Sequence, residues 1–207
     1  MARLFAAAPA NDLPEGPNYN ICPTNQIHNV TFGDGQRRLE AMRWGFIPRG
    51  YKSPADGPLL INARAETIAT KPAFREACRS RRCLIPASGF YEWTKDTEAQ
   101  RLPWYITSAN DAPLAFAGVW QRWGGDTSIP TCAILTTTAN VPLSHIHHRM
   151  PVIIAPEDWP LWLGEVGFGA ASLMHPAPDA ALKCWRVDPA VNSSRASGAG
   201  LIARVLL

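Results

Sequence analysis

Four polar side chains stand in short apolar or aromatic stretches where chemistry could be done: Asn62, Arg64, Glu92 and His147. Residues 82–93 read RCLIPASGFYEW. Cys83, Leu84 and Ile85 make an apolar run too short for a helix, Pro86 closes it, and Gly89 re-aims the chain before Phe90, Tyr91, Glu92 and Trp93. Removing water from a carboxylate between two aromatic residues disfavours its charged form. Its pKa then rises toward the range of a general acid or base. The alternative is a strand on which Tyr91 and Trp93 pack inward while Glu92 points into solvent.

Residues 59–67 (LLINARAET) start apolar and turn polar, and an extended chain would put Asn62, Arg64 and Glu66 on one side. That row suits the lining of a site, or equally a polar strand face with an Arg64–Glu66 salt bridge. Residues 143–151 (LSHIHHRMP) hold three of the five histidines. His145 and His147 would share one face of a strand, yet no Cys, Asp or Glu stands at ligand spacing, so no metal is expected. A single acid or base histidine, His147 or His148, fits better, with Arg149 beside it to attract an anion. Ala2 is small enough for Met1 to be removed, which would leave an α-amine with an unperturbed pKa of about 7.7–8.0. Such an amine is a nucleophile at neutral pH. Cys22, between Ile21 and Pro23, reads as a small apolar residue before it reads as a reactive thiol.

The elements that must position these groups are short. Nineteen prolines and fifteen glycines are spread along 207 residues, which excludes long helices. A hairpin turn is expected at residues 33–35 (GDG), followed by a strand over 39–44, with further strands over 103–107, 114–120 and 131–138. A turn at Gly124, Gly125 and Asp126 separates the last two, and a late strand covers 183–187. Such a succession predicts an antiparallel sheet that curls or closes. A helix is predicted over 72–81, its outer face carrying Lys71, Arg75, Arg79 and Arg82, and a short helix over 156–163. The loop over 49–58 is polar and long enough to bind something. Of the eight tryptophans, Trp44 and Trp93 adjoin the candidate segments and could stack on unpaired bases, whereas Trp120, Trp123 and Trp185 belong in the core.

Composition narrows the classes. Hydrophobic residues make up 46% and charged ones 18%, a globular balance that argues against disorder. A net charge of +3 permits an anionic partner without demanding one. Five cysteines with no C-x-x-C pair fit reduced thiols in the cytoplasm. No signal pattern opens the chain, and no run approaches the ~20 apolar residues of a membrane span.

Six segments, taken in order, closely resemble the SOS-response-associated peptidase (SRAP) family: residues 19–24 (YNICPT), 43–48 (RWGFIP), 61–67 (INARAET), 82–93, 134–140 (ILTTTAN) and 146–151 (IHHRMP). The tail at Val191, Asn192 and 198–202 is similar too. The resemblance implies one α+β domain over 1–207: a curled, barrel-like antiparallel sheet with a few short helices. It also implies a monomer that binds single-stranded DNA and reacts covalently with abasic sites, with N-terminal autoprocessing and neither cofactor nor membrane. Glu92 matches the family's proton-transfer glutamate, His147 its histidine of imine chemistry, and Asn62 the asparagine that positions the first residue and the sugar. Arg64 and Arg149 match phosphate-binding arginines. Trp44 and Trp93, with Arg3 and Asn20, fall in segments that shape the DNA cleft. The family opens Met-Cys-Gly-Arg-Phe, whereas this chain reads Met1-Ala2-Arg3-Leu4-Phe5. Ala2 offers an amine for imine formation but no thiol to close a thiazolidine, so crosslinking is expected to be impaired or lost. A thiol from Cys22 could not close that ring either, having no amine on the same residue. The alternative is a non-catalytic module for single strands or junctions.

Overall fold

A computed structural model describes residues 1–125 and 128–205. The chain opens with one helical turn, α1 (Ala2–Phe5), and β1 (Ala7–Pro9), then forms the hairpin of β2 (Gln26–Gly33) and β3 (Gln36–Trp44). Asp34 and Gly35 make the turn at φ 52° and 75°. Two successive left-handed residues give the two-residue connection whose twist matches that of the flanking strands. After β4 (Asn62–Arg64) and α2 (Arg75–Ser80) come β5 (Arg82–Ala87), β6 (Phe90–Lys95), β7 (Arg101–Ser108), β8 (Leu114–Trp123) and β9 (Ile129–Thr138). The chain continues through β10 (Arg149–Pro151), α3 (Trp159–Leu163) and β11 (Leu182–Arg186), with short 3-10 turns between them and two more after β11. Asp126, the third residue of the expected 124–126 turn, lies outside the described residues.

Strands β3, β2, β5, β8 and β9 lie side by side with antiparallel pairing between each neighbouring pair. The row then curls back on itself: Arg43 and Trp44 of β3 pair with Thr131 and Cys132 of β9. This closing pairing is parallel, as are those of β4 with β9 and of β1 with β3. The expected α+β fold on a curled sheet is therefore present as a ring of strands, mostly antiparallel and shut by a parallel seam. A second sheet of three antiparallel strands, in the order β11, β7, β6, carries Glu92.

Alternation along each strand gives the ring two apolar faces. Val30, Leu84, Ala117 and Ala133 share one face with Phe74, just before α2, and with Ala77 and Trp162 from the helices. Ile27, Met42, Cys83, Phe116 and Ile134 belong to the other. The buried tryptophans are Trp159 and Trp162, at 7% and 0% exposure. Trp120, Trp123 and Trp185, expected in the core, are only half-buried. The reason is local. α3 is amphipathic over a single turn and turns both indoles inward, whereas Trp123 and Trp185 sit where their N–H groups reach the carbonyls of Tyr51 and Ile202.

Two expectations about the basic helix need correcting. α2 spans only Arg75–Ser80, because the chain from Lys71 through Phe74 is spent in turns closed on the Lys71 carbonyl. Arg82 is also no part of a solvated basic face. Its guanidinium donates to the carbonyls of Cys78, Arg79 and Trp162, tying the end of α2 to α3. The 49–58 loop is folded on itself, the Asp56 carboxylate accepting the N–H groups of Lys52 and Ser53.

Candidate active site

Glu92 lies mid-strand in β6 opposite Trp104 of β7. Strand alternation sends Glu92 to one face of the small sheet and Tyr91 and Trp93 to the other, where Tyr91 meets Tyr105. The outward-pointing alternative was thus right about the split of faces, but the Glu92 face is covered. Trp104 and the 143–150 segment pack there, with Leu143, Ile146 and Met150 in one cluster with Ile106. Burial pushes the Glu92 pKa up, against the opposing pull of His147 and Arg101.

His147 follows a 3-10 turn, Val141–Leu143, and is not on a strand as expected. Asn140 caps that turn, accepting from Leu143 N–H and donating to the Ala177 carbonyl. Leu143 and Ile146 are then driven into the core at 4% and 6% exposure, which swings the next side chain, His147, toward Glu92. Nδ1 of His147 stands 3.7 Å from Oε1 of Glu92. His145 packs edge-on against Trp104 and His148 lies against His147, so the three histidines do not converge. Among the described residues no cluster of three or more His, Cys, Asp or Glu side chains is placed to hold a metal ion.

β4 and β10 flank opposite edges of β9, β4 pairing with residues 134–136 and β10 with 136–138. Ala63 of β4 points into the core at 1% exposure, so Asn62 and Arg64 face outward together. The strand stops at Arg64. Glu66 therefore does not continue the row and does not pair with Arg64. It reaches across β9 to Arg149 instead, with Nη1–Oε1 and Nη2–Oε2 distances of 2.7 and 2.9 Å. The same guanidinium donates to the Thr136 carbonyl at 2.6 Å. This bidentate pairing holds the Glu66 carboxyl below its usual range.

The other expected residues divide. Trp44 adjoins the β4 group, its indole N–H donating to the Ile61 carbonyl at 3.0 Å. Trp93 has its N–H on Asn192 Oδ1 at 2.7 Å and the Arg101 guanidinium 4.5 Å from its ring centre, on the sheet face away from Glu92. Asn20 donates its amide to the carbonyls of Ser193 and Ala196 and so anchors the tail. Arg3 is exposed on α1. Ala2 is not brought to Glu92: with Met1 it lines an open pocket formed with Asn11, Leu13, His28 and Leu39, and none of Asn62, Glu92 and His147 is among the described residues lining it. Phe5, stacked on Trp159 at 4.3 Å, fixes that placement, and burial, with a smaller push from the positive charge on Met1, holds the His28 pKa down. Arg101, Trp104 and Thr136 are the site neighbours that sequence reasoning missed. Their roles depend on hairpin register and cross-strand pairing, which the polar 94–102 stretch leaves open.

Fold and site together define an α+β protein whose strand ring carries arginines and an amide on an open face, beside a partly buried carboxylate–imidazole pair. The chain belongs to the SRAP (SOS response associated peptidase) family, whose profile matches residues 1–194. It is 36% identical over 198 residues to the abasic site processing protein YoqW of Bacillus subtilis, covering 92% of this chain and 88% of the relative. The abasic site processing protein HMCES of Pongo abelii is 31% identical over 225 residues, covering 86% of this chain and 62% of its own length. A crystal structure of a Bacteroides thetaiotaomicron protein superposes with a TM-score of 0.77 at 27% identity, covering 88% of this chain and 82% of that one. No helix among the described residues is long and apolar enough to cross a membrane.

Proposed function

We propose that this protein binds single-stranded DNA and processes abasic sites in it, with Glu92 and His147 moving protons at the exposed sugar. The observation that carries the reading is the 3.7 Å approach of His147 to a desolvated Glu92, two groups drawn from distant segments. A carboxyl with a raised pKa can protonate the ring oxygen of an abasic sugar and open it to the aldehyde. The adjacent imidazole can take up or return the proton. Arg64 is the exposed cation for the strand backbone, and Asn62 beside it can hold the sugar through both amide functions.

The covalent partner in this reading is the α-amine of Ala2 once Met1 is removed. Its nitrogen adds to the C1′ aldehyde and water leaves, giving an imine; for Glu92 or His147 to supply the proton, the first turn must leave the pocket beside His28 in which it lies. Abstraction of a C2′ proton then expels the 3′ phosphate and nicks the strand. With alanine at position 2 no sulfur is available to seal the adduct as a thiazolidine, so the imine stays reversible.

A second reading, a non-catalytic binding module, is favoured by one observation: Met1 and Ala2 line the pocket beside His28 and not the Glu92 site. Borohydride trapping on abasic single-stranded DNA, followed by intact-mass measurement, separates the two. The enzyme reading expects loss of Met1 and a trapped adduct that disappears in Glu92→Gln. Salt-sensitive DNA binding with no adduct would leave the binding module.

A further inference from the structure

Arg149 reads from sequence as a phosphate-binding residue, yet its donors are occupied. A guanidinium has five N–H groups. Both Nη atoms donate to Glu66, Nη2 also donates to the Thr136 carbonyl, and Nε is buried with no partner. One Nη1 N–H is all that is left to offer an incoming anion. The two partners differ in freedom: the Arg149 side chain is 18% exposed and that of Glu66 47%. Arg149 is held in place by β9 and β10, and Glu66, on the turn after β4, is the member that can swing out.

We infer that Glu66 is a built-in stand-in for a DNA phosphate, holding the Arg149 fork ready across β9 and giving way when a strand arrives. This rests on the DNA-binding reading above. A carboxylate and a phosphate present two oxygens to the same parallel pair of N–H donors, so the exchange keeps the geometry and swaps one anion for another. Binding therefore includes the cost of displacing Glu66, which makes this glutamate a regulator of affinity. Its grip on the guanidinium also stops Arg149 from collapsing onto some other acceptor while the site is empty.

The test is a binding series with a fluorescent single-stranded oligonucleotide across a range of salt concentrations. Glu66→Gln is expected to bind roughly 3–10-fold tighter than wild type, since both proteins make the Arg149–phosphate contact and only wild type must first release an exposed ion pair to do so. In an Arg149→Gln background the Glu66→Gln gain should vanish, and in Arg149→Lys, which keeps the charge but loses the fork, it should shrink. Unchanged or weaker binding by a folded Glu66→Gln protein overturns the inference. So does a gain that persists undiminished without Arg149, since that would be general relief of negative charge. Failure of wild type and Glu66→Gln alike to bind the oligonucleotide would remove the DNA-binding reading as well.

Discussion

The Nδ1 atom of His147 faces the Glu92 carboxylate at 3.7 Å and the backbone of Arg149 at the same time, 3.0 Å from its carbonyl and 3.1 Å from its N–H. The imidazole is thus oriented by the strand that carries Arg149. Anything that shifts β10 shifts the partner of Glu92.

Removing the Glu92 carboxyl should separate chemistry from binding. Glu92→Gln keeps shape and hydrogen-bonding capacity while losing proton transfer, so the rate of adduct formation or strand nicking is expected to fall by about 10²–10⁴-fold. Affinity for intact single-stranded DNA should be unchanged or slightly higher. Trapping kinetics and a binding isotherm on the same preparation check both.

Glu92 and Glu66 should respond to pH with opposite sign. Burial raises the Glu92 pKa above its ordinary 4.5, so the stability it gives is full below that value and is lost as pH rises through the raised one. Glu92→Gln is therefore expected to raise Tm at pH 7, with the difference closing toward pH 4. Glu66 is held below 4.5 by Arg149, so its contribution is present above that value and lost as pH falls through the lowered one. Glu66→Gln should lower Tm at pH 7, by no more than an exposed bidentate pair allows, about 1 kcal/mol. Thermal scans of both variants at pH 4, 5, 6 and 7 resolve the two trends, and parallel trends would contradict the geometry.

Trp162 and Arg82 should behave as structural residues. The Trp162 indole is fully buried and its N–H donates to the Cys83 carbonyl at 2.8 Å, so Trp162→Ala is expected to cost about 3–5 kcal/mol in urea unfolding. Arg82→Ala removes donors to three backbone carbonyls and should cost about 2–4 kcal/mol. Oligonucleotide affinity at a temperature where the variant is folded should not move. A loss of DNA binding in folded Arg82→Ala would restore the phosphate-contacting role that its placement denies.

Thiol labelling should distinguish two of the five cysteines. Cys78, Cys83 and Cys132 are buried, and burial pushes their thiols up, that of Cys132 to about 12. Only Cys22 and Cys184 reach the surface in part. Iodoacetamide at neutral pH should add two labels to the native protein and five in denaturant, counted by intact mass. A third native label would show the ring opening on the labelling timescale.

What the sequence disclosed and what it withheld follow the range of the interactions. The Asp34–Gly35 hairpin and the 156–163 helix are local, and glycine and proline mark them. The Glu92–His147 pair was visible as two candidate groups, and the family resemblance joined them. Glu66 was placed with the right residues and the wrong partner, because a row of alternating side chains assumes a strand that continues, and this one ends at Arg64. Arg82 looked solvated since nothing near it in sequence announces that Trp162 packs beside it. Trp104, the cross-strand neighbour that dries the Glu92 face, depends on a register set by an unpatterned polar loop. The location of Ala2 depends on Phe5 finding Trp159, a contact between segments far apart in the sequence.

The parallel seam between β3 and β9 has a consequence for synthesis. During translation β3 emerges with one edge paired to β2 and the start of the other covered by β1 over Arg37–Leu39, while Arg43 and Trp44 at its end have no partner on that side until Thr131 and Cys132 are made. At roughly 5–20 residues per second that is a wait of several seconds, much longer than a hairpin takes to form. The nascent chain carries the unpaired end of that strand edge throughout the interval, so overproduction at low temperature or with a chaperone that shields such edges should raise the yield of folded protein.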